Sequence, residues 1–103
     1  MQLTNYLNPE ILQSLHYSNI EEAGLDMLML SAQAKYSEYL TENRQFEKKY
    51  QTDFFSFQKM NSQQIDEEDF EQEDDLMAWR FAYENFQYWK EKTEELKSCF
   101  SKY

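Results

Sequence analysis

From Leu76 to the end of the chain the apolar positions keep a spacing of seven. Trp79, Phe86, Thr93 and Phe100 form one series and Ala82, Trp89, Leu96 and Tyr103 a second, and the two interleave as the a and d positions of a heptad. That spacing predicts a helix with one packing seam. At 1.5 Å per residue the stretch 76–100 would be about 37 Å long, against a radius of gyration near 13 Å for a compact domain of this size. Such a helix must run the length of the molecule. Leu76, Trp79, Ala82, Tyr83, Phe86, Trp89, Leu96 and Phe100 are the candidate residues for its core and for association. Truncating Trp79, Phe86 or Trp89 would cost about 3 to 5 kcal/mol wherever the side chain is fully buried.

Upstream, Asn8, Pro9 and Glu10 read as a helix start: a capping side chain, a ring that presets φ, and a carboxylate at the positive end of the helix dipole. A short helix over about 9–16 follows. Ser18 and Glu21 have the spacing of a capping box, which opens a long helix over about 19–50. Gly24 sits within it at a cost of about 1 kcal/mol and predicts a kink or a late start. Between Leu25 and Tyr36 apolar and small residues are too many for one narrow stripe, and the pattern continues through Tyr39, Leu40, Phe46 and Tyr50. Thr52 and Asp53 look like another cap, for a short helix over about 53–60 carrying Phe54 and Phe57. Asn61 to Gln64 is the expected loop, and a second long helix over about 67–101 completes the chain.

The expected fold is therefore all-α, a helical hairpin or bundle of two long and two short helices in a single domain over 1–103. One glycine, one proline and no valine in the whole chain argue against sheet turns and strands. Two long helices with two short ones cover only one side of each apolar stripe. Phe81, Tyr83 and Tyr88 lie outside the strict heptad, so a homo-oligomer, most simply a dimer, is expected to cover them.

Acids outnumber bases 20 to 10, a formal net charge of −10. That balance opposes binding to phosphate backbones, so direct nucleic-acid binding is not expected, and it favours basic partners. No apolar run approaches the roughly 20 residues of a membrane span. A lone cysteine and a start without a basic, then apolar, leader point to the cytoplasm.

Charge becomes informative where it clusters. Asp66, Glu67, Glu68, Asp69, Glu71, Glu73, Asp74 and Asp75 place eight carboxylates in ten residues. Acids at a helix start also complement its dipole by a few tenths of a kcal/mol each, so a solvated first turn is the bland account. The functional account is a docking arm, 66–75, in which the acids around Phe70 cover a cationic groove of a partner. A metal site at Glu71 with Asp74 or Asp75 would use hard oxygen ligands, but no EF-hand spacing or Glu-x-x-His pair accompanies them. No metal or other cofactor is expected. His16 and Cys99 lack the neighbours of a nucleophile–base pair, and phosphate loops and nucleophile elbows are missing. Catalysis is not expected.

The runs MLMLSAQAKYSEY (27–39), FEKKYQTDFFSF (46–57) and EDDLMAW (73–79) resemble those of small acidic helical antitoxin components of prokaryotes, which sit beside a ribonuclease-like toxin. The resemblance implies a non-catalytic inhibitor whose acidic arm and last helix cap a basic toxin surface. The competing expectation is a structural or adaptor bundle that self-associates without inhibiting a target.

Overall fold

The computed structural model describes residues 8–63 and 70–100. Four helices and no strand occur among them: α1 (Pro9–Ser14), α2 (Ile20–Tyr50), α3 (Phe54–Gln63) and α4 (Phe70–Phe100).

Both ends of α1 and α2 and the start of α3 have an identifiable chemical cause. The Asn8 side chain accepts the Glu10 N–H at 3.0 Å and starts α1, with Pro9 in the first turn. The helix stops at His16, whose φ of 63° is left-handed. There the Tyr17 N–H returns to the Leu12 carbonyl (2.8 Å) and the His16 N–H to the Gln13 carbonyl (3.0 Å), which satisfies the last carbonyls as a Schellman motif does. The lone histidine thus fills a position that favours glycine.

α2 begins one residue later than the expected capping box. Asn19, extended at φ −158°, accepts the Glu22 N–H at 2.8 Å, and the Glu22 carboxylate accepts the Ser18 N–H at 2.9 Å. The reciprocal logic is retained with Asn19 and Glu22 in place of Ser18 and Glu21, since Asn caps at least as well as Ser. Helix α2 then continues through Gly24 without a break. It ends at Gln51, again left-handed at φ 54°, whose side-chain amide donates to the Lys48 carbonyl at 2.7 Å.

Asp53 opens α3 by accepting the Ser56 N–H (2.8 Å) and hydroxyl (3.1 Å). Those bonds hold its carboxyl below the ordinary range. Asn61 and Ser62, expected in a loop, are instead helical. Their side chains donate to the Phe57 and Lys59 carbonyls at 2.9 and 2.8 Å, so these polar residues bond back onto their own helix. Gln64 lies outside the described residues.

Helices α2 and α4 lie side by side and antiparallel. Tyr36 meets Phe86, Asn43 meets Trp79, and Lys49 meets Asp75. The α4 seam rests on a matching stripe of α2 in which Met29, Ala32, Tyr36, Tyr39, Asn43, Phe46 and Tyr50 alternate steps of three and four. Ala32 and Ala82 are both almost completely buried, small side chains that let the helices approach. Near Trp79 the short α3 closes one end of the pair. Phe54, Phe57 and Trp79 form the buried cluster, with Phe46, Tyr50, Leu76 and Tyr83 packed around it. The radius of gyration is 20.4 Å and the extents are 65 × 26 × 22 Å, so the long pair sets the shape. No helix among the described residues is long and apolar enough to cross a membrane.

Candidate functional site

The first turns of α4 carry the described part of the acidic arm, and helix geometry sorts its residues onto two faces. Lys49, near the end of α2, reaches across to donate to Glu71 at 2.9 Å and Asp75 at 2.6 Å. The Tyr50 hydroxyl donates to the same Asp75 carboxylate. Burial alone would raise the Asp75 carboxyl, but the bonds from Lys49 and Tyr50 and the Lys49 charge outweigh it and hold it below the ordinary range. Burial, and then the bond to Asp75, push the Tyr50 phenol up to about 12. Glu71 and Asp75 are thus spent inside the molecule, locking the end of α2 to the start of α4.

Glu73 and Asp74 point elsewhere. Both are exposed, and neither makes a hydrogen bond or ion pair among the described residues. At 100° per residue, positions 70, 73, 74 and 77 gather on the side of α4 away from the seam, whereas Phe81, one turn on, reaches back to Tyr39 of α2 with ring centroids 5.7 Å apart. Phe70 and Met77 are each 69% exposed. The result is a strip of large apolar side chains interleaved with unpaired carboxylates. Asp66, Glu67, Glu68 and Asp69, the rest of the predicted arm, lie outside the described residues.

The seam residues divide by depth. Trp79 and Ala82 are wholly buried, whereas Leu76, Tyr83, Phe86, Trp89 and Leu96 are half-buried. Phe100 is exposed, and Tyr103 falls outside the described residues. Tyr83 packs under α3, stacked on Phe54 at 5.2 Å and edge-on to Phe55 at 5.2 Å. Phe81 and Tyr88 stay uncovered, at 57% and 50% exposure.

Two structural residues escaped the sequence reading. Asn43 is buried opposite Trp79 and accepts its indole N–H at 2.8 Å. Lys49 pairs with acids more than twenty positions away; local spacing carries no signal for such a contact.

His16 is occupied as a backbone terminator, and Cys99 is exposed. Among the described residues no group of three or more His, Cys, Asp and Glu side chains could hold a metal ion. No family model matches the chain, and neither a curated protein nor a solved structure shows significant similarity to it.

Proposed function

We propose that this chain is a non-catalytic, cytoplasmic protein-binding module of the antitoxin type, which covers a basic surface on a partner with the opening turns of α4. The observation that carries the reading is the shared face of Phe70, Glu73, Asp74 and Met77, apolar and anionic at once and uncovered by any described element. Such a strip suits a cationic surface with an apolar recess. The aromatic and thioether groups supply buried area, while the carboxylates steer approach and penalise neutral or acidic competitors. A ribonuclease-like toxin, whose groove must be basic to hold RNA, has that chemistry.

The structure changes which acids should be tested. Glu71 and Asp75 hold α2 against α4, so their loss would confound stability with binding. Glu73→Gln with Asp74→Asn removes only unpaired charge. That double variant should keep its helicity while binding to a basic partner weakens and its salt dependence becomes shallower. Unchanged affinity and an unchanged salt slope would overturn the reading.

A second reading, a self-associating structural bundle, is favoured by one separate observation. The side of the α2–α4 pair opposite α3 leaves Leu28, Phe81 and Tyr88 uncovered.

A further inference from the structure

The α2–α4 pair has two long sides. One is covered near Trp79 by α3, which lies on Tyr83. Along the other run two apolar grooves, one of about 660 Å³ lined by Phe46, Ala78 and Phe81, and one of about 320 Å³ lined by Leu28, Tyr88 and Leu96. Helical spacing puts them on the same side. Leu28, Lys35, Glu42 and Lys49 repeat by sevens along the edge of α2, and Phe81 and Tyr88 do so along α4.

We propose that a second copy of this chain seats on this side, antiparallel to the first, about a two-fold axis level with Glu38 and Asn85. The inference deepens the self-associating reading and is independent of any basic partner.

The register between the helices fixes that level. Tyr36 sits opposite Phe86 and Asn43 opposite Trp79, so Glu38 and Asn85 stand close to one height along the pair. An axis there carries Phe81 onto Tyr88 of the second copy and Tyr88 onto its Phe81. The same axis carries Lys35 onto Glu42 of the second copy and Glu42 onto its Lys35. One symmetry operation therefore makes two aromatic pairs and two ion pairs, the self-complementarity that a two-fold interface requires. These side chains are available, since Phe81 and Tyr88 are half or more exposed and Lys35 has only a 3.8 Å contact with Glu38.

Charge and area agree with this occupant. The net charge of −10 would oppose self-association if it were spread evenly. On this side, however, acids and bases interleave: Lys35 stands between Glu38 and Glu42, Lys92 pairs with Glu95 and Lys49 with Glu71 and Asp75, while Asp74 lies at one end, seven residues before Phe81, and Glu73 lies on another face. Helices of 31 residues are about 46 Å long, and two side by side span about 20 Å, so the side offers on the order of 900 Å². A standard stable interface takes roughly 800 Å² from each partner. A four-helix assembly of two copies meets that requirement and fills both grooves.

Sedimentation equilibrium of the full chain should give a dimer at micromolar concentration. Asn85→Cys in a Cys99→Ser background should join to its own copy through a short bis-maleimide, because position 85 lies beside the axis. Lys35→Glu should weaken dimerisation by roughly fivefold or more, and adding Glu42→Lys should restore it, since the swap rebuilds both ion pairs. Phe81→Glu should yield a monomer of unchanged far-ultraviolet circular dichroism, which separates lost association from lost folding. A monomeric parent chain, a dimer that does not cross-link at position 85, or a charge swap without rescue would each overturn the proposal. Glu73→Gln alone, at a position off the Phe81–Tyr88 stripe, should leave the dimer intact while weakening binding to a basic partner, so either reading can fail without the other.

Discussion

The indole N–H of Trp79 donates to the Asn43 side-chain oxygen at 2.8 Å, joining α4 to α2 inside the seam. Trp79 is fully buried, and Asn43 is 8% exposed with its amide nitrogen turned to Glu47 at 3.2 Å. A buried polar pair in a largely apolar seam selects one register, because a slip by one turn would bury the indole N–H without an acceptor. Asn43→Ala should therefore cost about 1 to 3 kcal/mol by orphaning that donor. Trp79→Ala should cost about 3 to 5 kcal/mol. A double-mutant cycle with Asn43→Leu and Trp79→Phe, read by urea denaturation, should show the two effects to be strongly non-additive.

Lower on the same seam, Thr93 buries a hydroxyl with no hydrogen-bond partner among the described residues. Valine has nearly the same shape and lacks the unsatisfied group. Thr93→Val should raise stability by about 1 kcal/mol or more, visible as a higher urea midpoint at an unchanged slope. A lower midpoint would mean that the hydroxyl is satisfied in solution.

Gly24 lies in the first turns of α2, exposed, and a Cβ built there meets nothing within 4 Å. Gly24→Ala should therefore stabilise the chain by up to about 1 kcal/mol through helix propensity and a less flexible unfolded chain. Gln51→Gly should act in the same direction by relieving a left-handed backbone at φ 54°. Thermal denaturation of each variant measures both effects.

The lock between Lys49, Tyr50 and Asp75 contributes to the pH dependence of stability at both ends. The Asp75 carboxyl is held below its ordinary range when folded, so its contribution is present above the unfolded carboxylate pKa and fades as pH falls through the lower folded value. The Tyr50 phenol behaves oppositely. Its unfolded form releases its proton near pH 10 and its folded form only at about 12. Its contribution is thus complete below about pH 10 and is lost between there and about pH 12. Lys49, raised by its bonds to Asp75 and then Glu71, adds to the alkaline loss. Melting temperatures across pH should fall on both limbs. Tyr50→Phe should flatten the alkaline limb and Asp75→Asn the acid one.

Much of the fold was legible because it is written in local periods. The heptad from Trp79 to Leu96 and the caps near Asn8, Ser18 and Asp53 place all four helices within a few residues, since each signal acts over at most two turns. The α2 half of the seam was harder to read. Its stripe includes buried Asn43, which a hydropathy pattern scores as surface, and exposed Met27, Leu28 and Leu30 add apolar noise on other faces. The division of the acidic arm could not be read from sequence at all. Glu71 and Asp75 differ from Glu73 and Asp74 only in which side of α4 they occupy relative to Lys49, a contact made through the tertiary fold. Tyr83 was left without a partner in the sequence reading for the same reason: α3 returns across α4 and covers it.

The central claim, that the opening turns of α4 bind a basic protein, is tested most directly by affinity capture from the native cell lysate. The parent chain and the Glu73→Gln, Asp74→Asn variant would be compared at low and high salt. The account predicts one basic protein retained by the parent at low salt, released at high salt, and lost or sharply reduced on the variant. Retention of no basic protein, or equal retention by parent and variant at both salt concentrations, would contradict it.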